Sequence, residues 1–314
     1  MKKLTVGSLV YDDFDGIYFS YQSLRLNNLD ILEQLDLVVI DNNPNSPEGE
    51  ATKDFCGKAH IRYIPEESKK STSLRNKVFE NAGAPYTVCM DPHVMFEPLT
   101  LKYLLAFYQR NPNTKDLYQG PMFMDCIKGH DPMTHMDPVW RGHMWGTWGV
   151  DKRGVNANQT PFVIPMHGLG MFSCKTDEWL GFNEDFIGFG GEEGYIHEKY
   201  RKNERQCWCL PFFRWLHRFG RPRGVPYPLQ LEHRIFNYVI GFKELGLEYD
   251  PIIDHFGKES PSVDVRAIIN DPEAAKRKYH QTNGLKNPDN VPGLPKFDID
   301  AVLKENDIVL DLPE

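Results

Sequence analysis

The first hundred residues alternate short apolar runs with polar stretches of helical spacing. Leu4–Val10 (LTVGSLV) is a nearly continuous apolar run stopped by Tyr11, Asp12 and Asp13, the pattern of a parallel strand buried on both faces. Residues 17–34 carry apolar groups at mixed helical spacings, and residues 35–40 (LDLVVI) read as a second buried strand, halted by Asp41-Asn42-Asn43-Pro44. Residues 61–64 read as a third, short strand. Ser71 is suited to cap a helix running through Ala82, which Gly83-Ala84-Pro85 ends. Tyr86–Met90 is a fourth strand, broken by Asp91-Pro92-His93, and Pro98 opens a helix to about Arg110. This alternation predicts an α/β fold with a central, mostly parallel sheet flanked by helices.

The periodicity then fades. Residues 112–161 are rich in Gly, Pro, Met, His and Trp and read as a long functional loop with exposed aromatics. Apolar order returns from Phe162, and after about Pro261 the chain turns charged and rich in Pro and Asn. The expected organisation is a main domain over 1–260, with a nucleotide-binding half (1–97) and an acceptor half (98–260), followed by an appendage over 261–314.

Composition narrows the classes of function. The 314 residues carry a net charge of −8, which argues against a general electrostatic grip on nucleic acid. The N-terminus has two lysines but no apolar stretch of signal-peptide length, and no window approaches the roughly 20 apolar residues of a membrane span. The six cysteines are scattered; Cys207 and Cys209 lie on a strand-like run and read as core thiols. A reducing, cytoplasmic compartment is expected.

In a parallel α/β sheet ligands bind beyond the carboxyl ends of the strands, so the polar groups there matter most. They are Tyr11, Asp12 and Asp13, then Asp41, then Asp91 and His93. Asp41 is able to accept the imide N–H of a uracil, or simply to make an Asx turn. Asp91 and His93 stand two residues apart, so in extended geometry both side chains reach one side, where a carboxylate with an imidazole suits a divalent metal such as Mn²⁺. Glu192 and Glu193 follow paired glycines at a helix start, where acids cap the helix, bind hydroxyls or act as a base. His217 lies amid aromatics; alone it reads as core or surface.

Taken in order, these segments carry a resemblance. Asp91-Pro92-His93, His167-Gly168-Leu169-Gly170-Met171-Phe172, Phe189-Gly190-Gly191-Glu192-Glu193 and His217 follow one another as the motifs of GT-A glycosyltransferases do. The chain resembles family 2 enzymes and the catalytic domain of polypeptide N-acetylgalactosaminyltransferases over roughly residues 3–220. Ser73-Leu74-Arg75-Asn76 is similar to that family's arginine-containing helix start, and Phe189 stands where a tryptophan is usual. The resemblance implies a nucleotide-sugar donor, UDP-linked, and Mn²⁺ or another divalent cation held by Asp91, His93 and His217. Arg75 would lie near the nucleotide, and Tyr11, Asp12 and Asp41 would recognise the base. Glu193 would serve as base if transfer inverts, with Glu192 orienting hydroxyls. Trp140, Trp145 and Trp148 are the candidate acceptor platform, for a glycan, protein or modified nucleobase.

Rival readings are open. Arg214, Arg218, Arg221 and Arg223 form a basic run that fits a phage-type transferase acting on modified bases in DNA, or a solvated face, or diphosphate contacts. A non-catalytic sugar- or nucleotide-binding module on the same scaffold is a second rival. A nucleotidyltransferase would want a basic, glycine-rich loop after the first strand, which SLVYDDFDG lacks. A zinc site among His130, His135 and His143 lacks paired cysteines and regular spacing.

Overall fold

The computed structural model describes residues 1–125, 131–221 and 224–282. Cys126, His130, Arg223 and the last 32 residues lie outside the described residues.

The chain opens as strand β1 (Leu4–Val10), helix α1 (Phe14–Asn27), β2 (Leu35–Asp41), α2 (Pro47–Ala59) and β3 (Arg62–Pro65). Local chemistry sets the bounds of α2. Ser46 Oγ accepts from the Gly49 N–H at 2.9 Å, Pro47 sits in the first turn, and His60 closes the helix in left-handed geometry. Next come α3 (Asn76–Glu80), β4 (Tyr86–Met90), β5 (Val94–Phe96) and α4 (Thr100–Arg110). Gly7 in β1 lets α3 approach closely, since a Cβ there would stand 2.3 Å from Val78.

The expected helix from Ser71 to Ala82 is two pieces, a 3₁₀ turn over Thr72–Arg75 and the short α3. Ser71 does cap, accepting from the Ser73 N–H at 3.1 Å. The turn is held by a distant partner: the Thr72 N–H donates to Gly188 O at 3.0 Å and the Gly188 N–H to Lys70 O at 2.8 Å.

Within the stretch 112–161 the described residues form regular elements, not one long loop. It holds β6 (Leu117–Gln119), β7 (Met122–Met124), a hairpin of β8 (His135–Arg141) and β9 (Met144–Gly149), and the short α5 (Lys152–Val155). The strands escape a periodicity search because their partners are distant and the hairpin ladder shifts register between Asp137 and Trp140, around Pro138. Then follow β10 (Phe162–Val163), β11 (Met171–Lys175), α6 (Glu192–Lys202), β12 (Cys207–Cys209), β13 (Trp215–His217), α7 (Leu231–Leu245), α8 (Asp250–Glu259), α9 (Val265–Asn270) and α10 (Pro272–Thr282).

Eight strands form the main sheet in the order β10-β12-β6-β11-β4-β1-β2-β3. The pairs β3–β2, β2–β1 and β1–β4 are parallel, while β11 runs antiparallel between β4 and β6. The sheet grows from β1 toward β3 and then resumes on the other side with β4, so the order reverses at β1. That reversal opens a crevice at the carboxyl ends of β1 and β4. Both faces are covered: Val88 packs in one core with Ile17, Leu24 and Tyr108, and its neighbour Cys89 in the other with Phe172, Ile196 and Phe236. A small sheet, β5-β13-β7, pairs His217 with Val94.

Past residue 260 the described chain stays packed. Val265, Ile268 and Tyr279 are buried in the core that holds Phe236 and Val239 of α7. Cys207 and Cys209 are buried free thiols, as are Cys56, Cys89 and Cys174. No described helix is long and apolar enough to cross a membrane.

Candidate active site

Beyond β1 and β4 lies a cavity walled by Tyr11, Asp13, Lys70, Arg75, Asp91 and His93, and closed by Phe189 and Tyr227. The turn after β4 delivers Asp91 and His93, and the pairing of β13 with β5 brings His217 alongside. The ring nitrogen Nε2 of each histidine lies 3.7 Å from Asp91 Oδ2. Among the described residues these three form a group able to hold a metal ion, with one ligand atom from each within 4.8 Å of the others.

Arg75 is the keystone. Its buried guanidinium donates to Asp91 Oδ1 at 2.7 Å and to Glu192 Oε1 at 3.3 Å. Burial alone would raise the Asp91 carboxyl, but Arg75 and the two imidazoles outweigh it and hold Asp91 well below the ordinary carboxylate range. The carboxylate therefore stays ionised, with Oδ1 engaged and Oδ2 facing both histidines. Burial lowers His217, keeping that ring neutral and able to act as a ligand. Two imidazoles and one carboxylate fit a borderline divalent ion such as Mn²⁺ or Zn²⁺ better than Ca²⁺. His217 Nδ1 is buried without a hydrogen-bond partner.

Glu192 and Glu193 open α6 behind two glycines in left-handed geometry, Gly190 at φ 97° and Gly191 at φ 91°. Burial, with Glu192 adjacent, pushes Glu193 up to about 8. Asn237 of α7 clamps the loop that leads into these acids, accepting from the Ile187 N–H and donating to the carbonyls of Ile187 and Gly190.

Other expected site residues have structural partners. Asp12, at φ 49°, accepts from Ser46 Oγ and from Asn43 Nδ2 and so ties two loops together. Asp41 is buried and accepts from the Tyr63 hydroxyl at 2.8 Å and the Asn43 N–H at 2.9 Å, with burial raising its carboxyl. Tyr11 lines the cavity, its ring 5.1 Å from Lys70 Nζ.

The three tryptophans are half-buried on the hairpin. Trp140 stacks on His255 at 4.2 Å, Trp148 packs edgewise on His167 at 5.5 Å, and Trp145 lies against Gly194, next to Glu193. Trp145 also lines a second cavity, of about 620 Å³, with Tyr195, Tyr238 and Phe242. His135 and His143 bond to Thr134 and Ser260 respectively and join no metal group among the described residues.

Sequence reasoning placed Asp13 among the polar groups at the strand ends and Arg221 in a basic run, but gave neither a part in the metal site, and it did not single out Tyr227. Asp13 Oδ2 meets His93 Nδ1 at 2.7 Å, and Arg221 donates to His93 Nε2 at 2.9 Å. Tyr227 pairs its ring with Phe189 at 4.7 Å. Asp13 stood beside Asp12 in the sequence, but only the left-handed turn at Asp12 decides which acid faces the site.

A reversed sheet order, a crevice at its switch point and acids entering a helix from a glycine turn define a GT-A-type scaffold of the nucleotide-diphospho-sugar transferases. Residues 10–174, just over half of the chain, match the model of Glycosyl transferase family 2, and the chain belongs to that family. Among solved structures it is similar to GalNAc-T7 with UDP, GalNAc and Mn²⁺, at TM-score 0.63 and 13% identity, over 90% of this chain and 55% of that one. The chain thus spans about half the length of that structure, and at this identity the likeness is one of fold. A second is TarS 1–349 of S. aureus, at TM-score 0.49 and 14% identity over 93% of this chain and 95% of that one. No curated protein matches the chain.

Proposed function

We propose that the protein is a divalent-metal-dependent glycosyltransferase that moves a sugar from a UDP-sugar to a hydroxyl acceptor. The observation that carries this reading is the convergence of Asp91, His93 and His217 on one point at the edge of the cavity, with Arg75 joining Asp91 to Glu192. The presence of UDP, GalNAc and Mn²⁺ in the GalNAc-T7 structure, which shares the fold, supports the same donor class and ion type.

Asp91, His93 and His217 would hold the cation. Bound there, Mn²⁺ would offset the negative charge that builds on the departing diphosphate. Arg75 keeps Asp91 ionised and oriented. Tyr11 and Lys70 line the donor cavity and would meet the nucleotide, with Asp12 and Asp41 shaping the loops around the base. In the transfer, the acceptor oxygen bonds to the sugar's anomeric carbon while the bond to the diphosphate oxygen breaks, its electron pair leaving with UDP. In an inverting reaction the acceptor proton goes to the Glu193 carboxylate and Glu192 orients hydroxyls; in a retaining one Glu193 is not the base. Trp145, beside Gly194, would present its indole face to the acceptor, with Trp140 and Trp148 fixing the hairpin that carries it.

Internal pairing argues against the DNA-modifying alternative. Arg214 pairs with Glu97 at 2.8 Å and Arg218 with Asp15 at 3.0 Å, so neither is a spare phosphate contact. The presence of a full ligand set and the acid pair argues likewise against a non-catalytic module.

The test is UDP release from a panel of UDP-sugars with Mn²⁺ or with EDTA, using wild type, Asp91→Ala and Asp91→Asn. Release that needs the metal, prefers one sugar and falls at least about 100-fold in both variants is expected. If no donor is cleaved and calorimetry detects no metal-dependent UDP binding, the reading is wrong.

A further inference from the structure

His93 is held from both ends of its ring. Nδ1 meets Asp13 Oδ2 at 2.7 Å, with Asp13 5% and His93 2% exposed. Nε2 accepts from Arg221 Nη2 at 2.9 Å and also faces Asp91 Oδ2 at 3.7 Å. A carboxylate against Nδ1 requires the proton on Nδ1, and a guanidinium, which only donates, requires a lone pair on Nε2. Both neighbours thus select one tautomer, with the Nε2 lone pair turned toward Asp91 and His217.

We infer that Asp13 is the positioning residue of the metal site and that Arg221 is an internal cation competing with the metal for His93 Nε2. This rests on the metal reading above. A carboxylate behind a ligating imidazole fixes the ring and raises its basicity, and loss of such a partner typically weakens metal binding by about 10- to 100-fold. Arg221 acts in the opposite direction. Its N–H uses the lone pair that an ion needs, and its positive charge stands beside the ligands, so a cation binds only after this hydrogen bond is given up. Nε and Nη1 of Arg221 are buried without hydrogen-bond partners within bonding geometry, while the guanidinium also interacts with the Asp13 carboxylate and the Tyr227 hydroxyl, which hold its charge beside the ligands. The two opposed effects come from separate segments: Asp13 enters after the end of β1, and Arg221 from the segment after β13.

The experiment is calorimetric titration of Mn²⁺ into the full chain stripped with chelator, with no nucleotide present, so that the readout is affinity and not activity. Asp13→Ala is expected to weaken binding by about 10- to 100-fold, Asp13→Asn, which keeps an acceptor oxygen, by less, and Arg221→Met to tighten it. Near-ultraviolet circular dichroism of each variant checks that the fold is retained. Equal affinities for folded wild type and Asp13→Ala overturn the positioning role. An Arg221→Met protein that binds no tighter overturns the competition. If wild type itself binds no Mn²⁺ while all variants are folded, the metal reading fails and takes this inference with it. Should Asp13→Ala not fold, the comparison of Asp13→Asn with Arg221→Met, expected to shift in opposite directions, decides the matter.

Discussion

Two carboxyls in this site, Asp91 partly buried and Glu193 buried, are driven apart by their surroundings. Asp91 lies against Arg75 and is held ionised, whereas Glu193 has an acid for a neighbour and is pushed up to about 8. If Glu193 is the base, kcat rises with pH through about 8, and Glu193→Gln loses about 100-fold or more of it. A flat profile with an active Gln variant would instead point to a retaining reaction, in which Glu193 is not the base. The same shift has a consequence for stability. The folded protein holds this carboxyl protonated above its ordinary range, so the associated stabilisation is present at low pH and is lost as pH rises through about 8. Glu193→Gln cannot ionise, so its melting temperature should gain on wild type as pH increases; a constant difference across the series would contradict the shift. Asp91, His93, Arg75 and the Glu pair were legible as residues because each stands at a strand end or helix start. Asp13 and Arg221 were visible as residues but their place at His93 was not, because it depends on one left-handed turn and on a segment returning to β4 from more than a hundred residues away.

At the scale of elements, α7 controls the loop that carries the acids. The Asn237 side chain satisfies one N–H and two carbonyls of residues 187–190, all buried by the helix. Asn237→Ala strands these groups and should cost about 1–3 kcal/mol in denaturant unfolding. It should also lower kcat with little change in donor affinity, since Gly188 is still tied to the donor side through Lys70 and Thr72. Loss of stability without loss of kcat would mean that the loop keeps its course without the clamp. The hairpin of β8 and β9 illustrates what patterning misses. It is rich in Met, Trp and Gly, with neither period 2 nor period 3.6, and it exists because its two halves pair and its tryptophans lean on α6, α7 and α8.

For the whole molecule the boundary at residue 260 matters. Val265, Ile268 and Tyr279 are buried against α7, and each such side chain contributes about 1.5–3 kcal/mol. A chain ending at 260 should therefore melt well below the full protein or fail to fold, whereas a removable appendage would leave the thermal transition unchanged. The strand–helix alternation of the first hundred residues determined the parallel half of the sheet, since apolar runs of strand length between helices have few other ways to be buried. The order of short motifs pointed to the family before any contact was known. Tertiary structure alone decided the rest: that β4 lies beside β1, that β13 brings His217 next to His93, and that Asp13 and Arg221 share one imidazole. Burial patterning is local and is written in the spacing of side chains, but a ligand set is a meeting of distant segments, and spacing along the chain carries no measure of distance across it.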